Sequence, residues 1–169
     1  MAITINGSDN TITGLAAGGL PDGSIQAADL ASGVGGKINQ VLQAIKTDVA
    51  SLSASNDFTD ISGLSVSITP SATNSKILVF VTVNTSNASN GDKGFRIMRD
   101  STAIGIGDAA SNRPRETFSI GSVSSPTNGI EAYSHTILDS PSTTSATTYK
   151  IQWSSNGGVD IYLNRSSAD

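Results

Sequence analysis

LSVSITPSATNSKILVFVTV, residues 64–83, is the stretch whose reading decides the fold. In its first half Leu64, Val66 and Ile68 alternate with Ser65, Ser67 and Thr69, the two-residue period of a strand with one buried and one wet face. Pro70 ends that ladder because it has no N–H to donate, and residues 71–75 are polar, turn-forming chain. In the second half Ile77, Val79, Val81 and Val83 share one face, but Leu78 and Phe80 stand on the other, where polar residues are expected. A strand apolar on both faces needs two covers. One is the core of its own sandwich; the other is either a further layer of this chain or a second subunit, which makes Leu78 and Phe80 the candidate oligomer interface.

Toward the C-terminus, residues 84–94 (NTSNASNGDKG) carry every turn signal and read as a loop. Residues 95–100 (FRIMRD) alternate again, residues 102–107 form a short partner, and residues 109–114 are a second loop. Further strand candidates are residues 116–123, 129–138, 146–153 and 159–164. In the third of these Tyr149, Ile151 and Trp153 share a side, and in the last Val159, Ile161 and Leu163 do. Many short strands at regular spacing predict an all-β antiparallel sandwich, without helix from residue 54 onward.

The N-terminal side is different in kind. Residues 1–36 hold Ile3, Ile5 and Ile12 around a polar turn, the pattern of a small hairpin or extended arm, followed by a Gly/Ala/Asp-rich connector. So few apolar residues cannot form a core of their own, so this arm is set apart from a domain spanning residues 37–169. Residues 37–53 (KINQVLQAIKTDVASLS) admit two readings. Ile38, Leu42, Ile45, Val49 and Leu52 are spaced by four, three, four and three, as in a short coiled coil; the competing reading is a pair of strands continuing into residues 56–61.

Composition narrows the function classes. The chain has 169 residues with 14% charged side chains and a net charge of -4, so a phosphate-backbone partner is disfavoured and no nucleic acid is expected. With no cysteine there is neither a disulfide framework nor thiol chemistry. The N-terminus lacks the basic start and apolar run of a signal peptide, and no stretch reaches membrane-spanning length, so a soluble product without membrane insertion is expected.

Catalytic signals are weak. His135 is the one histidine and shares a parity with Glu131, Tyr133 and Ile137; nothing marks the orienting carboxylate or oxyanion hole of a triad, so it reads as a surface or interface residue. Residues 105–110 (GIGDAA) match a dinucleotide-binding pattern, but the chain after them, with Pro114, has no helix to receive a pyrophosphate. Asp57, Asp60, Asp100, Asp108, Glu116, Glu131, Asp139 and Asp160 are scattered acids, better explained as solvated strand-edge charges than as a glycosidase pair. No cofactor, metal or catalytic residue is expected. The Asn-X-Ser patterns at Asn6, Asn84, Asn87 and Asn164 are chance matches in a Ser/Thr-rich chain.

Four segments carry a resemblance. GLSVSITPSATNSKILVFVTVN, FRIMRDSTAIGIGDAASNRPR, ILDSPSTTSATTYKIQW and VDIYLNRSSAD, in that order, resemble the distal domain of tail-fibre-like proteins of bacteriophages, particularly marine ones. The LDSP, TTYK and YLNRS runs are the specific part, and the resemblance covers residues 36–169; the N-terminal ITINGSDNTITGL also looks like the stretch preceding such domains. It implies a jelly-roll head, similar to complement and tumour-necrosis-factor heads, assembled as a homotrimer. It also implies that residues 37–61 are strands, because GKINQVLQAIKTD matches the corresponding strand pattern, and this decides against the heptad. Similar domains run on into a last strand after the NRS motif, whereas this sequence stops at Asp169, so that strand is either missing or replaced by another segment such as the N-terminal arm.

The function so implied is that of a virion structural protein, assembled in the host cytoplasm and extracellular in the mature particle. Residues 1–36 would dock on other virion proteins, and the trimeric head of a short tail fibre would attach to the host cell. Loops on a rigid sandwich carry specificity, and Asn87, Asn90, Asp92, Lys93, Asn128 and Asn156 are the candidate contacts to a host surface glycan. The alternative is a capsid decoration or cement protein, which the lack of a long shaft favours. A depolymerase is the weakest reading.

Overall fold

The computed structural model describes residues 4–6, 8, 11–13, 38–121, 129–155 and 158–168. The chain divides into two units, Met1–Val41 and Leu42–Asp169. In the first, β1 (Thr4–Asn6) pairs antiparallel with β2 (Thr11–Thr13), Ile5 opposite Ile12, which is the small hairpin anticipated from the two isoleucine runs.

The second unit holds β3 (Ala50–Leu52), β4 (Thr59–Ile68), β5 (Ile77–Asn87), β6 (Lys93–Arg99), β7 (Thr102–Ile104), β8 (Phe118–Ile120), β9 (Glu131–Asp139), β10 (Thr147–Ser155) and β11 (Ile161–Leu163). Helix is absent among the described residues. Every strand pair is antiparallel. One sheet has the order β4-β10-β6-β7 with β8 also on β6; the other has the order β3-β11-β5-β9. Val81, Val83, Ile161 and Leu163 of the second sheet share one core with Ile61, Phe95, Ile97, Ile104, Ile120, Tyr149, Ile151 and Trp153 of the first, a sandwich-like arrangement.

Strand parity explains the core. Phe95 lies opposite Trp153 and Ile97 opposite Ile151, all facing inward. In β4 the buried parity changes between Ile61 and the Leu64, Val66, Ile68 series. Gly63, at φ 89°, sits at the change, where the β10 register shifts between Lys150 and Gln152. A bulge is the device that inserts one residue and returns the next apolar side chain to the same face, and glycine takes the positive φ without the steric cost of a Cβ. The β6–β7 hairpin turns on Asp100 at φ 52°, a conformation that Asp tolerates better than most residues.

Two expectations are corrected. Residues 38–49 form neither the expected strands nor the heptad helix; strand begins only at Ala50. Four-and-three spacing throws apolar side chains to both sides of an extended chain, so no single face can lie on a core. The carbonyls of Lys46 and Asp48 are taken instead by the Asn164 amide, at 2.8 and 3.1 Å. Residues 84–94 are not one loop: β5 runs on through Asn87 and β6 starts at Lys93, leaving residues 88–92 between them. Beyond β11 the sheet ends in β3, a strand of the same unit, so a different segment pairs with β11 there.

Candidate functional site

Strand β6 carries a cation at each end of its inward face, with Phe95 and Ile97 between them. At its start, Lys93 is buried (1% exposed), and its Nζ donates to Asn87 Oδ1 of β5 at 3.1 Å. Glu131 Oε2 of β9 lies 3.9 Å from the same ammonium, and the Tyr133 ring is beneath it at 5.9 Å. Tyr133 in turn donates its hydroxyl to Glu131 Oε2 at 2.5 Å. Burial lowers the Lys93 pKa, with Glu131 opposing, and burial followed by the Glu131 hydrogen bond pushes the Tyr133 phenol up to about 12. Thr85, opposite Glu131 in the β5–β9 register, is fully buried, and its Oγ1 has no hydrogen-bond partner among the described residues.

At the other end of β6, Arg99 Nη1 donates to both oxygens of Asp139 of β9, at 2.9 and 3.1 Å. Tyr149, opposite Arg99 on β10, donates its hydroxyl to Asp139 Oδ2 at 2.6 Å. Burial, then that hydrogen bond, raises the Tyr149 pKa. Next door, Asp100 exchanges bonds with Thr148: its N–H donates to the Thr148 carbonyl at 2.7 Å, and its Oδ1 accepts from the Thr148 N–H at 2.8 Å. Both clusters span the two sheets. Charge-assisted hydrogen bonds of this kind fix how one sheet sits over the other.

These positions revise the candidate glycan contacts. Asn87 and Lys93 are interior residues of the first cluster and are not displayed to a receptor; their polar character satisfies each other between the sheets. Asn90 and Asp92 are exposed on residues 88–92. Asn128 and Asn156 lie outside the described residues. His135 faces inward from β9, half-buried, its ring stacked on Phe118 at 5.3 Å, and Phe118 stacks on Phe95 at 4.9 Å. The residue expected at a surface or an interface is thus a half-buried packing residue between the strands.

Besides Asp100, Glu131 and Asp139, two more of the scattered acids have structural partners. Asp60 accepts from Lys150 Nζ at 2.7 Å and Gln152 Nε2 at 2.8 Å, which lowers its pKa. Asp160 accepts from the Ala54 N–H at 3.1 Å. Residues 105–110 enter an irregular loop held by Arg113 and Arg115, which donate to the carbonyls of Asp108 and Gly107 at 2.6 and 2.9 Å. Asn164, one of the Asn-X-Ser matches, is a turn residue at φ 57° whose amide holds the chain ahead of β3.

The outer face of the β5–β9 pair is the surface that stands out. Leu78 lies directly opposite Leu138, and Phe80 opposite Thr136. Leu78, Phe80 and Leu138 are 53, 73 and 61% exposed. Around them Thr82 and Ser134 share a hydroxyl hydrogen bond at 2.9 Å, and Asn84 and Ala132 are exposed as well. The second apolar face of β5 is thus left open among the described residues, while its inner face builds the core. Leu42, Ile45 and Val49, in the stretch leading to β3, are also exposed. No helix of the described residues is long and apolar enough to cross a membrane, and no group of three metal-ligating side chains occurs among them.

Compared with known proteins, the chain matches no family model and no curated protein.

Proposed function

We propose that this chain is a non-enzymatic structural protein of a bacteriophage particle. Its second unit is a jelly-roll head that self-associates as a homotrimer and serves attachment to the host cell, and residues 1–36 dock on other virion proteins. The observation that carries this reading is the open apolar face of Leu78, Phe80 and Leu138 on the outer side of the β5–β9 pair. Contiguous apolar surface of this kind marks a protein–protein contact, and a closed cyclic assembly covers it in every copy.

Two further features support it. The strand order supports the jelly-roll reading: β10 lies between β4 and β6, and β9 lies beside β5. The runs that resemble phage fibre heads also meet in space, since Arg99 and Asp100 of FRIMRD, Asp139 of LDSP and Thr148 and Tyr149 of TTYK form one cluster. Buried ionisable groups engaged in ties between sheets suit a robust scaffold without disulfides.

Light scattering of the purified chain tests the reading. A mass of three chains, together with immunogold labelling of phage particles at the tail, supports it. A monomer across the accessible concentration range overturns it, because the apolar face would then have no partner of its own kind. Labelling confined to the capsid shell would move the trimer to a decoration role.

A further inference from the structure

The outer face of the sheet containing β6 carries a depression of about 520 Å³, lined by Asn56, Asp57, Phe58, Arg96, Asn112 and Pro114. That volume falls in the range of small-molecule sites, roughly 300–1,000 Å³. Three separate segments build it: the turn ahead of β4, the middle of β6, and the loop between β7 and β8.

Its walls are held in place by bonds within and between these segments, among them one from the Ser111 hydroxyl to Asn112 Oδ1 at 3.1 Å, which leaves the Asn112 NH2 group as a donor. Arg96 Nε donates to the Arg115 carbonyl at 2.6 Å, and its guanidinium lies 3.6 Å from the centroid of the Phe58 ring. The side chain is therefore fixed in position while its two Nη groups remain as a planar donor fork. On one flank the Asp57 N–H donates to Ser55 Oγ at 3.1 Å, and the Ser55 carbonyl accepts from the Ser155 N–H at 2.7 Å, so this turn is tied to β10. On the other flank the Arg113 N–H donates to the Ala110 carbonyl at 3.1 Å, which closes the turn that carries Asn112. Asn56, Asp57 and Asn112 are all exposed.

The lining combines a donor fork, an acceptor-only carboxylate and two carboxamides that do both, beside a phenyl ring and a proline. A sugar hydroxyl donates one hydrogen bond and accepts two. Vicinal hydroxyls on one ring therefore need donors and acceptors alternating over a few ångströms, with an apolar surface for the C–H face. A purely anionic ligand would be poorly served, because Asp57 would repel it; an apolar ligand would leave the fork and the donor groups of the two amides without a ligand acceptor.

We propose that this depression binds one sugar ring bearing vicinal hydroxyls, with Arg96 and Asn112 donating, Asp57 accepting, and Phe58 and Pro114 against the ring carbons. That the sugar belongs to a bacterial surface polysaccharide rests on the host-attachment reading; the site itself is distinct from residues 88–92.

The test uses the full chain on an array of lipopolysaccharide and capsular oligosaccharides, with glucose, galactose, mannose and glucuronate as soluble competitors. Fluorescently labelled protein is applied in parallel to a panel of marine bacteria. Wild type should be retained on a subset of the glycans and released by a competing monosaccharide. The exposed pair Asp57→Ala with Asn112→Ala should keep the thermal midpoint and lose about ten-fold or more in apparent affinity, the worth of one or two hydrogen bonds. Arg96→Lys, which keeps the charge but not the fork, should lose a similar amount, and Asn90→Ala should lose nothing. Absence of any retained glycan, or full retention by the double variant, overturns the site. If bacteria are labelled equally by wild type and double variant, the site is wrong while attachment stands. If the array signal depends on Asp57 and Asn112 but no strain is labelled, the sugar site stands and the attachment reading fails.

Discussion

Phe80→Asp separates the contribution of β5 to its own sandwich from its contribution to an assembly. Phe80 is 73% exposed, so the isolated fold loses little beyond strand preference, within about 1 kcal/mol. In a trimer the balance is different. Full burial of a Leu or Phe is worth about 1.5–3 kcal/mol, so covering Leu78, Phe80 and Leu138, which are 53, 73 and 61% exposed, yields roughly 1–2 kcal/mol each. That is about 4 kcal/mol per subunit and on the order of 12 kcal/mol for three. Association costs about 4–15 kcal/mol in lost freedom, so this face decides whether the assembly holds. An Asp at position 80 removes the largest share and adds several kcal/mol of desolvation per buried carboxylate, in every copy. Light scattering over a concentration series, with circular dichroism on the same samples, should show wild type at three chains and the variant as monomer or aggregate with wild-type secondary structure. A soluble Phe80→Asp trimer of unchanged stability would refute the reasoning outright.

Other perturbations probe the ties between the sheets. Asp139→Leu leaves Arg99 and the Tyr149 hydroxyl without their shared acceptor and should cost about 2–4 kcal/mol in denaturant unfolding; a loss below about 0.5 kcal/mol would mean that the cluster does not hold the sheets. Thr85→Val keeps the volume and deletes an unpartnered buried hydroxyl, so the thermal midpoint should rise by about 2–4 °C; a fall would reveal a bound partner at Oγ1. Gly63→Ala places a Cβ at φ 89° and should destabilise by about 1 kcal/mol or more, read from the urea midpoint. Tyr133 has a raised pKa, so its contribution is complete below the ordinary phenol value of 10.0 and is lost as pH climbs through about 12. Unfolding free energy should therefore fall over that window, while the lowered pKa of Lys93 acts in the opposite sense; Tyr133→Phe should flatten the decline, and an unaltered slope would assign it elsewhere.

Alternation made most of the sandwich legible. Ile77, Val79, Val81 and Val83 do face the core, as do Tyr149, Ile151 and Trp153, because a two-residue period has only two faces to choose between. Residues 84–94 failed for the opposite reason. Thr85, Asn87 and Lys93 keep the inward parity of β5 and β6, but their polarity and the neighbouring turn residues disguised strand as loop. A signal was present: Lys93, Phe95, Ile97 and Arg99 share one face, so the apolar face of a strand begins and ends in a cation, and a buried cation needs a partner from the opposite sheet. Residues 38–49 were not legible at all, since an identical spacing of Ile38, Leu42, Ile45 and Val49 serves a helix stripe and an irregular extended chain pinned by a distant asparagine. The depression around Arg96 joins residues about forty and sixty positions apart, and only the pairing of β10 with both β4 and β6 brings them to one surface.

Where the resembling segments fall in the fold bears on how function is divided over the molecule. FRIMRD, LDSP and TTYK supply Arg99, Asp100, Asp139, Thr148 and Tyr149, all committed to one another. The NRS motif supplies Asn164, committed to the carbonyls ahead of β3. These side chains are engaged in structural ties, so the resemblance tracks what holds the sandwich together. On the proposed attachment reading, recognition of a receptor would use residues outside these ties, on outer faces and loops. That is where Leu78, Phe80 and Leu138 lie on one sheet, and Asp57, Arg96 and Asn112 on the other. The two surfaces differ in chemistry as their proposed partners do: one is apolar and suited to a copy of the same chain, the other is a mixed donor and acceptor surface suited to a sugar. On the proposed reading, assembly and recognition would be carried by opposite faces of the sandwich, and a trimer closed through the first would leave the second exposed in all of its subunits. Three weak sugar sites on one head then act together, so the loss from Asp57→Ala with Asn112→Ala should be larger on a densely coated surface than against a free monosaccharide.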